Sequence, residues 1–268
     1  MKKAIRTLLC LSAVFAVSIF SSCSSSSDDT PTPTVPLAYA VDATNNLKIF
    51  SLATFGTPTS KPILLLQPGE TILGMDIRPS NGQLYALGTT GRIYTIDTTT
   101  GNATMVGAGP LAISGTDFGF DFNPVVDRIR IVSNSGMNIR VNPIDGLLVG
   151  TGDTALNPGT PNVTAVAYLN SFVGATLTTL YDIDSTTDML YMQNPPNNGT
   201  LVPVGPLGIN ATASNGFDIG GTTNTAYAIF TVGGITGLYT INTTTGAATL
   251  VATSPITSLK GLALGLDF

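Results

Sequence analysis

The chain has 268 residues, 10% of them charged, with a formal net charge of −5 and a mean hydropathy of +0.33. An acidic, weakly charged chain of this length buries a large core and repels phosphate backbones, which excludes nucleic acid as a partner. It holds no His and no Trp, which excludes a Ser-His-Asp triad and any His-bearing metal site.

The N-terminus reads as an address. Lys2, Lys3 and Arg6 form a positive segment, Leu8 to Phe20 an apolar one too short to span a bilayer comfortably, and Ser21-Ser22 small residues before Cys23. This arrangement resembles a bacterial lipobox, with Phe20 where Leu is usual. The resemblance implies a lipoprotein signal peptide over 1–22, cleavage before Cys23, lipid on Cys23 and anchorage to the membrane. A plain secretory signal with a bystander cysteine is the alternative. Cys10 would leave with the signal, so no internal disulfide is expected. Lys2, Lys3 and Arg6 would leave too, and the mature chain is then more acidic still.

Residues 23–36 predict a tether: four serines, Asp28-Asp29, then alternating Thr and Pro cannot pack a core and favour an extended spacer. The Ser-rich, acidic start also resembles the export signal of surface lipoproteins in Bacteroidetes-type bacteria. That resemblance implies an outer-membrane or cell-surface location.

Residues 37–268 repeat. Gly74-Met75-Asp76-Ile77 returns as Gly119-Phe120-Asp121-Phe122 and Gly216-Phe217-Asp218-Ile219, with weaker copies at Ala165–Tyr168 and Gly261–Leu264. Short alternating segments and Gly-bearing turns such as Asp97–Gly101 and Asn242–Gly246 fill each interval. This spacing predicts an all-β, five-bladed β-propeller, each blade built of strands a to d outward from the axis. The blades fall at 37–67 plus 261–268, then 74–109, 119–156, 165–204 and 216–252. In the first, strand b is expected at Tyr39–Asp42 and strand c at Ile49–Leu52. The chain starts on a strand b and ends on a lone strand a. Pairing the C-terminal strand with the N-terminal blade therefore closes the ring and hides its open edges.

The third blade is distinctive. Gly119-Phe120-Asp121-Phe122-Asn123-Pro124-x-x-Asp127-Arg128-Ile129-Arg130, with Asn138–Pro143, resembles a family of secreted bacterial proteins classed only as a domain of unknown function. The resemblance covers nearly all of 37–268 and implies an extracytoplasmic propeller. It carries no established activity, so no site residue is transferred from it.

Two sets of residues could carry chemistry. Asp76, Asp121 and Asp218 share one position on strand a and should line the channel. They could hold a cation such as Ca²⁺ or act on a sugar, or instead accept backbone N–H groups of their own or the next blade. Ala167 and Ala263 interrupt the ring. Arg128, Arg130 and Arg140 concentrate in the third blade, with Arg130 where the other blades have Tyr39, Tyr85, Tyr181 and Tyr227. With Asn138 they could form a fork for a ligand carboxylate or sulfate, or instead pair with Asp117, Asp121, Asp127 or Asp145. The recurring tyrosines read as inter-blade packing.

No phosphate loop or dinucleotide fingerprint is present, and no cofactor is implied. The expected function is a monomeric, non-enzymatic binding or scaffold propeller, anchored by lipid on Cys23, with a glycan or surface protein as partner. A glycoside-acting enzyme using the channel aspartates is the alternative.

Overall fold

The computed structural model describes residues 35–212 and 215–268. The signal segment, Cys23 and the tether up to Thr34 lie outside the described residues. Nineteen strands are present among the described residues: β1 (Ala38–Val41), β2 (Asn46–Phe50), β3 (Thr59–Pro62), β4 (Ile72–Ile77), β5 (Leu84–Gly88), β6 (Ile93–Ile96), β7 (Ala103–Val106), β8 (Phe118–Asn123), β9 (Arg128–Ser133), β10 (Asn138–Val141), β11 (Val163–Tyr168), β12 (Leu180–Asp184), β13 (Met189–Gln193), β14 (Leu201–Pro206), β15 (Gly216–Ile219), β16 (Ala226–Val232), β17 (Ile235–Ile241), β18 (Ala248–Ser254) and β19 (Lys260–Leu264). They form five antiparallel sheets, ordered β19-β1-β2-β3, β4 to β7, β8 to β10, β11 to β14 and β15 to β18. This is a five-bladed β-propeller.

The ring closes as the phase of its two ends predicts. β19, the last strand in the chain, pairs with β1 through Ala38↔Leu264 and Tyr39↔Ala263. The first blade is thus shared by both ends of the described chain, and five apolar clusters each fill one boundary between neighbouring blades. Core and closure both lie within 35–268.

The innermost strands explain the repeated glycines. A Cβ on Gly119 would stand 2.7 Å from the Val166 nitrogen, and one on Gly216 2.3 Å from the Gly261 carbonyl carbon. Glycine at the head of the repeat lets adjacent inner strands approach around the axis.

Two details differ from the sequence expectation. In the first blade the strand expected at Ile49–Leu52 is β2, Asn46–Phe50. Ser51 leaves the sheet because its N–H donates to Thr54 Oγ1 at 2.8 Å, opening a short 3-10 turn over Leu52–Thr54. In the third blade, 119–156 holds three strands. After β10 only one bridge forms, Val141↔Leu148, and the chain runs on irregularly through Gly146, Gly150 and Gly152, all at positive φ. That irregular run carries Asp153 to the blade edge.

Candidate functional site

Each inner strand is the end member of its sheet, so its channel-side N–H groups have no strand partner. At one level of the channel these groups belong to Ile77, Phe122, Tyr168, Ile219 and Leu264. Three aspartates accept all five. Asp76 Oδ1 takes Ile77 N–H at 2.6 Å and Oδ2 takes Phe122 N–H of the next blade at 2.8 Å. Asp121 Oδ1 takes Tyr168 N–H of the next blade at 3.1 Å. Asp218 Oδ1 takes Ile219 N–H and Oδ2 takes Leu264 N–H of the next blade, both at 2.6 Å.

The pattern obeys a rule. Each N–H is accepted by the aspartate of the preceding blade. Where that blade has alanine, Ala167 or Ala263, the N–H turns to the aspartate of its own blade. Three carboxylates therefore satisfy five donors, and the interruptions at Ala167 and Ala263 leave none of these donors unpaired.

The three side chains are buried, and one oxygen of each lies within 4.8 Å of the others. Burial pushes the Asp218 carboxyl up to about 7. Burial, then the charge of Asp218, raises Asp76 well above the ordinary carboxylate value. Burial, then the charges of Asp76 and Asp218, does the same to Asp121. The N–H donors favour the ionised form, but desolvation and mutual repulsion oppose it and prevail. One oxygen from each could in principle meet a cation. Nearby, the channel between the heads of the inner strands has a cavity of about 10 Å³, room for one water rather than a sugar.

The third-blade arginines separate into two groups. Arg140 stands directly opposite Arg130 across β9 and β10, so the two share a face. Both bind Asp153. Arg130, 1% exposed, reaches Asp153 Oδ2 through Nη1 at 2.5 Å. Arg140 donates from Nε to Oδ2 and from Nη2 to Oδ1, both at 2.9 Å. Arg130 also donates to Asn138 Oδ1 at 2.7 Å, to Asn197 Oδ1 at 2.8 Å and to Tyr168 Oη at 3.3 Å. Arg128 stands apart and donates to the Asp127 carbonyl at 2.7 Å. The sequence offered Asp117, Asp121, Asp127 and Asp145 as partners; the acid used is Asp153. Asp127 pairs instead with Arg78 of the second blade, and that guanidinium holds its carboxyl below the ordinary value.

The register confirms the substitution of Arg130 for a tyrosine. Residues opposite the aspartate position are Tyr85, Tyr181, Tyr227 and Tyr39 in four blades and Arg130 in the third. Arg130 lies at the boundary of the third and fourth blades with Asn138 and with two polar residues missed in the sequence, Gln193 and Asp182. Asn138 Nδ2 donates to the carbonyls of Thr154 and Pro196, and Gln193 Nε2 donates to Asn138 Oδ1. Among the described residues, both oxygens of buried Asp182 and Oε1 of Gln193 have no partner. Burial raises the Asp182 carboxyl well above its ordinary value, with Arg130 partly opposing. Asp153 lies on an irregular run of the third blade and Asn197 on a short 3-10 turn of the fourth, so no local pattern joins them to Arg130. Glu70, the only glutamate, is buried, accepts from Thr90 N–H and Thr90 Oγ1 at 2.7 Å and from Tyr94 Oη at 3.1 Å.

No curated protein sequence matches the chain. Solved structures of similar shape include dihydro-heme d1 dehydrogenase NirN, at 13% identity and TM-score 0.41 over 83% of this chain. This chain spans 44% of that one. Another belongs to the nidogen/laminin complex, at 12% identity and TM-score 0.47, covering 87% of this chain and 99% of that one. A third is the glutaminyl cyclase of Myxococcus xanthus, at 16% identity and TM-score 0.42, covering 68% of this chain and 76% of that one. A sequence family described as a domain of unknown function, DUF4394, matches residues 46–263, and the chain belongs to that family.

Proposed function

We propose that this chain is a bacterial lipoprotein: a non-enzymatic binding or scaffold propeller held at the cell surface by lipid on Cys23. One observation carries the non-enzymatic reading. The groups best suited to acid, base or ligand chemistry are committed to the fold. The channel aspartates accept five backbone N–H groups, and Asp153 occupies the forks of Arg130 and Arg140. Glu70 is buried within its own hydrogen bonds.

The Asp218 carboxyl, raised to about 7, is the feature a glycosidase would use as a general acid. The channel cavity near it, among the described residues, is about 10 Å³ and too small for a sugar, and this weighs for binding rather than hydrolysis. The sequence of residues 1–23 supports the anchor.

Two measurements test the reading. Cells expressing the protein are fed labelled palmitate, and label is expected on the wild type and absent from Cys23→Ser. Purified protein is incubated with a panel of surface polysaccharides. Binding without release of reducing ends is expected; hydrolysis that Asp218→Asn abolishes in a folded protein would overturn the non-enzymatic reading.

A further inference from the structure

One end of the propeller carries exposed apolar loops, and the chain enters there. On the fourth blade the loop between β11 and β12, residues 169–179, contains no charged residue. It exposes Phe172, Val173 and Leu177, the last two at 69% and 67%. The equivalent loop of the third blade exposes Val125 and Val126, ahead of the half-buried Asp127 and Arg128. Single exposed apolar residues are ordinary; five on equivalent loops of adjacent blades form a surface.

A continuous set of contacts joins the fourth-blade loop to the chain entry. Asn170 and Asn224 exchange two hydrogen bonds at 2.9 Å, linking this loop to the equivalent loop of the fifth blade. Thr222 and Thr223 in that loop donate to the Phe268 carbonyl at 2.6 and 3.2 Å, and Gly265 N–H donates to the Leu37 carbonyl at 2.8 Å. Val35, 65% exposed, begins the described chain at this end. An apolar groove of about 350 Å³, lined in part by Val35, Pro36, Leu52, Tyr227 and Phe268, opens beside it. Asp267, exposed, also lines it.

We infer that this end docks on the lipid bilayer, with Phe172, Val173 and Leu177 entering the boundary between headgroups and acyl chains. The inference rests on the lipid-anchor reading above. Eleven residues separate Cys23 from Val35, so lipid on Cys23 tethers the propeller by the end that carries the apolar loops. A leash at the opposite end would present the polar hairpins instead. A ring flanked by aliphatic side chains on an uncharged loop suits the membrane interface, where buried apolar area supplies affinity. The proximity supplied by the leash makes weak insertion effective.

The chain has no tryptophan, and Cys23 is the only cysteine of the mature chain, which makes a clean test. Residues 23–268 are coupled through the Cys23 thiol to a maleimide lipid in vesicles of phosphatidylethanolamine and phosphatidylglycerol. Phe172→Trp is compared with Ile235→Trp. Ile235 is 59% exposed and starts β17 just after the β16–β17 hairpin turn, at the other end of the fifth blade. A blue shift and quenching by brominated lipid are expected for Phe172→Trp and not for Ile235→Trp. Adding Val173→Asp and Leu177→Asp should return the emission to its value in water. Unshifted emission from Phe172→Trp on vesicles, or equal quenching of both proteins, would overturn the inference. Chemical coupling makes the result independent of lipidation in cells. Palmitate labelling can therefore fail while docking stands, and docking can fail while labelling stands.

Discussion

Asp76 of the second blade accepts the backbone N–H of Phe122 in the third, at 2.8 Å. The same bond links Asp121 to Tyr168 and Asp218 to Leu264, so three of the five blade boundaries are latched at one level of the channel. The latch exists because an innermost strand has no neighbour on its axial edge. Its N–H groups must find acceptors in a space too narrow for bulk water.

Single Asp→Asn changes follow from this geometry. An amide has one acceptor oxygen, and its NH₂ would face a second N–H donor. Asp76→Asn and Asp218→Asn each lose one of two bonds and should cost about 1–3 kcal/mol in denaturant unfolding. Asp121, with one accepted bond, should cost less. Calcium should leave the melting temperature of the wild type unchanged. A saturable rise that disappears in Asp121→Asn would instead make the cluster a metal site.

The raised carboxyls also set a pH dependence. A group whose folded value lies above its unfolded value binds more protons when folded, so its contribution is complete at acid pH and declines as pH rises through the folded value. For Asp218 the decline runs from the ordinary 3.8 to about 7. Asp76, Asp121 and Asp182 act in the same direction. Asp127, lowered by Arg78, acts oppositely, and its contribution is lost only as pH falls below the ordinary carboxylate range. The melting temperature should therefore be higher near pH 5 than near pH 8, and Asp218→Asn should flatten that difference. A wild-type melting temperature that climbs from pH 5 to pH 8 would show these carboxyls to be ionised in the folded state.

Arg130 and Asp153 should behave as a buried pair. Removing either partner leaves the other charge without compensation, at roughly 3–5 kcal/mol. Asp153→Asn and Arg130→Met should each destabilise strongly, and the double change should cost less than the two together. Arg130→Lys keeps the charge but cannot reach Asp153, Asn138 and Asn197 at once, so it should also destabilise. Arg140→Ala should cost less, because Arg140 is a quarter exposed and water screens its charge. Equal costs for Arg130 and Arg140 would contradict the burial that separates them.

What the sequence revealed follows from what repeats. The heads of the inner strands and the tyrosines of the second strands recur with a regular phase, because each blade solves the same packing problem, and the split first blade shows as a break in that phase at the two ends. The Asp76, Asp121 and Asp218 position was legible for that reason. The five N–H donors were not, since backbone groups leave no trace in residue types. Arg130 was visible as a break in the tyrosine pattern. Its partner was not, because Asp153 lies on an irregular, glycine-rich run with no period to place it. Asp182 was hidden differently: it reads as an ordinary strand residue until the third blade covers it.

The closure of the ring supplies a last prediction. β19 has the usual length of a strand, yet three separate features converge on it. Leu262 and Leu264 are buried in the cluster between the fifth and first blades. Ala38 and Tyr39 of β1 pair with Leu264 and Ala263. The Leu264 N–H satisfies Asp218 Oδ2. Deleting residues 261–268 would expose the edge of β1, open the apolar cluster at roughly 25 cal/mol per Å² and leave the Asp218 carboxyl short of a donor. The truncated chain should be recovered as aggregate, while Leu262→Ala, which only leaves a cavity, should stay soluble with a loss of about 2–5 kcal/mol. The contrast separates closure from ordinary core packing. If the truncation were soluble and melted cooperatively, the first blade would be stable without its C-terminal strand, and pairing of the two chain ends would not be what holds the ring shut.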